Sequence, residues 1–273
     1  MKKSFWVACI ILTNSSICFS QVIKKQVHIP LNNLTGIPYT NQQGEIFIQG
    51  FEIDNAGSYL FLNGSASLTS LVKFNATKNV YRKTYKDDLG SQLFIYGSKI
   101  HIFNYLSNDL SVLDANGNIL SKYNHITSDK INSYRFLDSN LIIDVNKPKS
   151  FDLDYKLYNL KGQKIKNINN IYNLPPKVYR NDQAVTGVIY LGKWDNKYLF
   201  WYIDDKRLDF ERFWITNDNG DVLKTKYFQS KQFGNGFEEV GEFKKLRNGT
   251  IYILGYNGKD GIITELSPAE MFK

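Results

Sequence analysis

The chain repeats one short apolar run five times, as Tyr59-Leu-Phe-Leu62, Ile100-His-Ile-Phe103, Leu141-Ile-Ile-Asp144, Tyr198-Leu-Phe-Trp201 and Ile251-Tyr-Ile-Leu254. Successive runs start 41, 41, 57 and 53 residues apart. β-Branched and aromatic residues dominate the runs and turn-forming residues bound them, which is the pattern of a β-strand. A repeat of this length is one supersecondary unit that buries its faces only against neighbouring copies. The repeat therefore predicts sheets that pack side by side.

Each run is the second strand of a predicted four-stranded unit. First strands are predicted over residues 45–53, 92–96, 133–137, 185–191 and 240–246. Third strands are predicted over 68–74, 110–113, 151–158, 210–216 and 261–266, and fourth strands over 80–85, 119–123, 164–168 and 222–228. Glycine and asparagine in the joining turns tolerate the positive φ angles that tight hairpins need.

The fifth unit lacks a fourth strand, because only seven residues follow Leu266. Gln26-Val-His-Ile-Pro-Leu31 is an unassigned strand-like segment ahead of the first unit. It can supply the missing outer strand, which closes the ring and removes an exposed sheet edge. The predicted fold is an all-β propeller of five four-stranded blades, closed by the N-terminal strand.

Residues 26–268 thus resemble the β-propeller superfamily, in particular exported bacterial propellers without a diagnostic signature. The resemblance rests on periodicity: the chain has neither the Gly-His and Trp-Asp pairs of WD40 repeats nor the paired glycines of kelch repeats. It therefore implies a fold and assigns no functional residue. Six blades, a β-sandwich and an open β-solenoid are the alternatives that the strand pattern leaves open.

Residues 1–20 match a secretory signal peptide. Lys2 and Lys3 form a basic start, residues 5–13 form a short apolar stretch, and small residues precede a predicted cut after Ser20. The expected domains are a signal peptide over 1–20 and one propeller over 21–273, located in the periplasm or outside the cell. Both cysteines lie before the cut, so the predicted mature chain has no disulfide or thiol nucleophile.

The charge and histidine patterns argue against several classes of function. The net charge is +8, with basic and acidic residues mixed along the chain, and no nucleic-acid recognition motif or membrane-spanning stretch is evident. His28, His101 and His125 lie far apart without metal-ligand spacing. We expect no cofactor and no metal, and the sequence leaves the oligomeric state open.

Loop lengths predict where a binding site lies. In a propeller the fourth-to-first and second-to-third connections share one face, here called the long-loop face, and the other turns share the short-turn face. The longest connections, 167–184, 204–209, 229–239 and 32–44, all belong to the long-loop face, and long loops on a rigid scaffold often bind ligands. The candidate ligand-binding residues there are Tyr172, Tyr179, Arg180, Asp204, Asp205, Arg207, Phe233, Phe237 and Glu238.

The tryptophans of the mature chain cluster in the fourth unit. Trp201 and Trp214 lie within apolar strands, so we expect them in the core. Trp194 lies in a predicted turn, and we expect it to be the exposed one.

Three functions remain open at this stage. The first is a secreted binding module for a glycan, peptide or protein partner, without covalent chemistry, since aromatic rings with charged side chains suit such ligands. A propeller glycosidase or lyase would need two carboxylates in the channel. Its candidates are Glu45, Glu52, Glu242, Asp144 and Asp204. A structural component of a cell-envelope assembly would show a broad apolar patch on the outside of a blade.

Overall fold

The structure, a computed structural model, describes residues 22–30, 48–65, 68–75, 78–90, 92–137, 139–146, 153–180, 188–203, 210–229, 233, 244–256 and 260–273. Within these ranges the backbone forms five antiparallel four-stranded sheets. Four of them are simple meanders from inner to outer strand, and the fifth takes its outer strand from the N-terminal end of the chain. The chain is a five-bladed β-propeller, as the repeat predicts.

The blades follow the repeat in order. Blade 1 contains β2 (Gly50–Ile53), β3 (Tyr59–Ser65), β4 (Leu68–Phe74) and β5 (Asn79–Tyr85). Blade 2 contains β6 (Gln92–Tyr96), β7 (Lys99–Asn104), β8 (Asp109–Leu113) and β9 (Ile119–Tyr123). Blade 3 contains β10 (Ile131–Leu137), β11 (Asn140–Asn146), β12 (Leu153–Tyr158) and β13 (Lys164–Ile168). Blade 4 contains β14 (Ile189–Trp194), β15 (Lys197–Ile203), β16 (Phe210–Thr216) and β17 (Val222–Gln229).

Blade 5 combines the two ends of the chain. Its strands are β18 (Lys244–Arg247), β19 (Thr250–Tyr256), β20 (Asp260–Leu266) and, as the outer strand, β1 (Ile23–Pro30). β1 pairs antiparallel with β20, from Ile23 opposite Leu266 to Pro30 opposite Asp260. The predicted closure by the N-terminal strand is therefore confirmed.

The apolar core is divided among the contacts between neighbouring blades. Five buried clusters lie between blades 1 and 2, 2 and 3, 3 and 4, 4 and 5, and 5 and 1. The last one joins Ile29 and Ile263 of blade 5 to Phe61 and Phe74 of blade 1. Across the same seam, the Tyr59 hydroxyl donates to Glu265 at 2.8 Å. Since packed apolar side chains join every neighbouring pair, burial between blades holds the ring closed.

Two short helices were not expected from the strand pattern. α1 (Pro176–Arg180) lies in the connection from blade 3 to blade 4, and α2 (Pro268–Met271) follows β20. Ser267 caps α2 by accepting from the Glu270 amide, with Pro268 in the first turn. α2 places Met271 and Phe272 in the core between blades 4 and 5. Neither described helix is long and apolar enough to cross a bilayer.

The tryptophan expectations are largely confirmed. Trp201 and Trp214 are buried within blade 4. Trp194 ends β14 and is only partly buried, although its ring contacts Phe272 and the Lys197 ammonium group.

Candidate functional site

The inner strands enclose a cavity of about 420 Å³ at the end of the channel where they begin. The inner strands start on the long-loop face, so the cavity opens there. Its described lining consists of Gln49, Gly50, Phe51, Gln92, Leu93, Asn132, Ser133, Tyr134, Arg135, Phe136, Ile171, Tyr172, Lys244 and Lys245. All but Ile171 and Tyr172 lie on inner strands or directly before one. A cavity of this size suits a small ligand or a few residues of a longer one.

Arg135 of β10 lines this cavity and is held by two described contacts. Its guanidinium carbon lies 4.7 Å from the centroid of the Tyr172 ring. Its Nη2 donates to the carbonyl oxygen of Tyr190, on the inner strand of the next blade, at 2.6 Å. A guanidinium fixed in this way presents donors in a defined orientation and loses little conformational entropy when it binds an anion.

Tyr172 is positioned by the connection from blade 3 to blade 4. The buried Asn170 accepts from the amides of Tyr172 and Leu174, and its own amide group donates to the Leu174 carbonyl at 2.9 Å. The Tyr172 hydroxyl donates to the carbonyl of Val188 at 2.9 Å. Leu174 and Val178 are buried between blades 3 and 4. The long connection is therefore anchored at this point, which gives Arg135 a rigid aromatic support.

Lys244 and Lys245 are already partly neutralised by acidic groups. The Lys244 ammonium lies 3.4 Å from Glu211 and 3.8 Å from the centroid of the Trp201 ring. Burial raises the pKa of the Glu52 carboxyl, and the charges of Lys245 and Arg247 partly offset that rise. Arg135, in comparison, is held against an aromatic ring and a backbone carbonyl.

Aromatic rings and neutral polar groups complete the described wall. Tyr134 packs edge-on against Phe103 and stacks on Tyr105 at centroid distances of 5.4 and 5.3 Å. Gln92 and Asn132 add side-chain amides, and no carboxylate is among the described lining residues. Rings pack against sugar or peptide surfaces while amides bond to hydroxyls and carbonyls. The described wall thus favours an anionic or strongly polar ligand.

The short-turn end of the channel contains a polar bridge. Arg247 of blade 5 donates from Nη1 to the Ile95 carbonyl of blade 2 at 3.0 Å. Its Nη2 donates to the Asn55 side chain of blade 1 at 2.8 Å, and the Asn55 amide donates to the Gly97 carbonyl. Three blades are joined by this bridge, so Arg247 has a structural role distinct from that of Arg135.

Asp144 is a buried carboxyl one strand behind the cavity wall. Burial raises its pKa, and the hydroxyl of Ser133, which lines the cavity, donates to its Oδ2 at 3.3 Å. Its Oδ1 has no hydrogen-bond partner among the described residues. No group of three or more acidic or histidine side chains in the described chain is arranged to hold a metal ion.

His101 is a buried titratable group outside the cavity. Its pKa is lowered to about 4 by burial and, secondarily, by Lys99, so the folded protein keeps the ring neutral. The unfolded chain binds a proton below about pH 6.5, so stability falls as the pH drops from about 6.5 to 4.

We expect His101→Gln to remove this pH dependence. Between pH 7 and 4 the wild type should lose about 3 kcal/mol more unfolding free energy than the variant, measured by urea denaturation. Val112→Ala, at the neighbouring cross-strand position, should destabilise the protein and leave the pH slope unchanged. Equal slopes for wild type and His101→Gln would rule out a neutral buried ring.

The structure describes four of the nine residues predicted to bind a ligand. Tyr172 lines the cavity, and Tyr179 lies behind it with ring centroids 6.3 Å apart. Arg180 ends α1, and its side chain lies outside the described part. Phe233 is 2% exposed and packs edge-on against Phe228 in the core, which favours a structural role. The residues that stay predictions, outside the described chain, are Asp204, Asp205, Arg207, Phe237 and Glu238.

The main lining residues missed from the sequence are on the inner strands. Gln92 starts the predicted first strand 92–96, Arg135 lies in the middle of the predicted first strand 133–137, and Asn132 directly precedes it. A polar residue at or beside a predicted inner strand is the sequence signal that could have identified these lining residues. The contact between Arg135 and Tyr172 is visible only in the structure, because Arg135 lies on the inner strand of blade 3 and Tyr172 lies in the connection from blade 3 to blade 4.

Comparisons with known proteins identify no family. No protein-family model and no curated protein matches the sequence. A crystal structure of a DUF4221 family member from Bacteroides vulgatus is similar at 11% identity and a TM-score of 0.45, over 89% of this chain and 96% of that one.

Two further solved structures show lower similarity. Apo AztD from Citrobacter koseri aligns at 13% identity and a TM-score of 0.33, over 80% of this chain and 58% of that one. Kluyveromyces lactis Hsv2, complete with its loop 6CD, aligns at 10% identity and a TM-score of 0.31, over 78% of this chain and 61% of that one. The chain spans less than two thirds of both.

Proposed function

We propose that the protein is an exported binding module that holds an anionic glycan or peptide at the mouth of its channel, on the long-loop face. The observation that carries the proposal is Arg135, fixed against Tyr172 at a 420 Å³ cavity with aromatic and amide walls. Its guanidinium would bind a carboxylate, while Tyr134 and Tyr172 would contact the sugar rings or peptide side chains.

A thermal-shift screen tests this function. Acidic and neutral oligosaccharides, peptidoglycan fragments and acidic peptides would be added to the purified protein, with calcium and a chelator as a further pair. A ligand at 100 times its dissociation constant adds about 2.7 kcal/mol of stability, which is readily visible as a raised melting temperature. Acidic compounds should give the shift, and a response limited to neutral compounds would contradict the role of Arg135.

Arg135→Gln is expected to lower the affinity for a ligand found in that screen by about tenfold or more, because a charged hydrogen bond is lost. Lys193→Gln is the matched control: its ammonium also lies 4.7 Å from a tyrosine ring, that of Tyr198, but Lys193 is not among the described lining residues. Calorimetric titration of both variants measures the difference. Equal affinities would place the ligand away from Arg135.

The hydrolase alternative has weaker support. A glycosidase needs two carboxyl groups, about 5–10 Å apart. Glu52 is buried beside Lys245, Asp144 lies behind Ser133, and the other candidates, Glu45, Glu242 and Asp204, are outside the described residues. Any glycan found in the screen should be incubated with the protein, since cleavage would replace the binding proposal with catalysis.

Export forms part of the proposal and rests on residues 1–20, which lie outside the described chain. If those residues direct export, the mature protein starts at Gln21. The intact mass of protein recovered from the periplasm or medium measures this directly. A mass that retains residues 1–20 would contradict it.

A further inference from the structure

The outer strands of the five blades have an unusual charge composition. β1, β5, β9, β13 and β17 read IKKQVHIP, NVYRKTY, ILSKY, KIKNI and VLKTKYFQ. Together they contain nine lysines and arginines and no aspartate or glutamate. The chain as a whole has 34 basic and 26 acidic residues, so the outer rim is basic well beyond the average composition.

Exposed apolar side chains accompany these cations at one end of the strands. Six of the ten large exposed apolar residues in the described ranges lie at or near outer-strand starts, and they are 44–54% exposed: Val80, Ile119, Leu120, Ile165, Val222 and Leu223. In every blade the outer strand starts at the short-turn face, because the meander has four antiparallel strands. In four blades a basic residue lies within two positions of these apolar residues, namely Arg82, Lys122, Lys166 and Lys224.

Of four outer-strand lysines on four different blades, two form ion pairs with described carboxylates and two do not. Lys122 lies 3.3 Å from Asp109, and Lys25 lies 3.9 Å from Glu265. Lys166 and Lys226 are exposed and form no ion pair with the described carboxylates. These lysines stand on different blades, so their charge is spread around the rim.

Protection of sheet edges explains the lysines on the outer strands, but it does not explain the exposed apolar residues beside them. Lysines on an edge strand hinder pairing with another chain, and the outer strands are such edges. Exposed valine, leucine and isoleucine beside them have the opposite effect, since they favour association. A surface that combines exposed apolar side chains with nearby cations instead suits a lipid–water interface, where apolar groups enter the acyl boundary and cations bind phosphates.

We propose that the rim of the short-turn face docks on an anionic lipid surface. The contact would be made by the apolar starts of the outer strands, with the lysines bound to lipid phosphates. The channel cavity opens on the opposite face, so a docked protein would present Arg135 away from the lipid. Lipid docking and ligand binding at the cavity are then independent, and Arg135→Gln should leave the docking unchanged.

Vesicle sedimentation tests the proposal. The purified protein should sediment with vesicles of phosphatidylglycerol and phosphatidylcholine, and weakly with phosphatidylcholine alone. High salt should reduce binding, because exposed charges are screened. Absence of sedimentation with the anionic vesicles at low salt would overturn the proposal.

Two double variants separate lipid docking from simple attraction to any polyanion. Lys166→Gln with Lys226→Gln should weaken vesicle binding about 25-fold, since each lysine near an anionic surface contributes about fivefold. Leu120→Ser with Leu223→Ser should weaken vesicle binding by a similar factor and leave retention on a dextran sulfate column unchanged. Both doubles change exposed side chains, and melting curves would verify that they fold.

The matched control lies on the other face. Lys86→Gln with Lys177→Gln removes two exposed lysines from long-loop connections and should bind vesicles like the wild type. If the variant with both Leu120→Ser and Leu223→Ser bound vesicles as strongly as the wild type, the rim would be a general polyanion-binding surface and the lipid proposal would be wrong. Equal loss from both lysine doubles would show that net charge alone, and no particular face, drives binding.

Discussion

Gly90→Ala is expected to destabilise the protein by about 4 kcal/mol or more. Gly90 is buried in the connection from blade 1 to blade 2 and has a φ of +113°. A Cβ there would lie 2.2 Å from the carbonyl oxygen and 2.4 Å from the carbonyl carbon of Phe103. Both are backbone atoms of β7, so relief would require a shift between the strand and the connection. Urea denaturation with the wild type as reference measures the loss.

Gly57→Ala is the control for the backbone angle alone. Gly57 has a φ of +76°, and no atom lies within 4 Å of a Cβ built there. Its substitution should cost about 1 kcal/mol, the usual penalty of a left-handed conformation for an L-residue. If Gly90→Ala and Gly57→Ala unfold at the same urea concentration, the backbone of Phe103 does not lie as close to Gly90 as the structure shows.

Ile29→Ala should cost about 3 kcal/mol, because it opens a cavity in the seam that closes the ring. Ile29 is fully buried between blades 5 and 1, and its strand is the only described part of blade 5 drawn from the N-terminal end of the chain. Loss of packing there should also loosen β1 from β20. Hydrogen exchange of β20 amides should therefore quicken along with the fall in urea midpoint.

Ile165→Ala is the matched control for Ile29→Ala. Ile165 also lies on an outer strand, β13, but it is 52% exposed. Its truncation should change the unfolding free energy by less than about 0.5 kcal/mol. A comparable cost at both positions would contradict closure of the propeller by the N-terminal strand.

The blade architecture could be predicted because its determinants are local. The runs 68–74, 119–123 and 164–168 coincide with β4, β9 and β13, since alternating apolar residues and turn residues act over a few positions. α2 also had a local signal, the capping pattern Ser267-Pro-Ala-Glu270. The strand pattern assigns no element to the residues after Leu266, so a prediction based on strands alone omits this helix.

The candidate site could be predicted only as a face of the propeller. Loop length pointed to the long-loop face, and the cavity opens there with Tyr172 in its wall. The same reasoning included Phe233, which is buried against Phe228. An aromatic residue in a long connection has the same local pattern whether it binds a ligand or packs in the core, so sequence cannot distinguish the two.

The sequence by itself indicated the order of the strands within each unit and the closure of the ring by the N-terminal strand, because both depend on the spacing of apolar runs and turns. The five sheets of the structure decided between five and six blades. It also determined the absence of acidic residues from every outer strand. Only the tertiary structure decided which side chains meet across the blades. Arg135 on Tyr172, Arg247 between three blades and Phe272 beside Trp194 are contacts between distant segments, set by how the sheets pack.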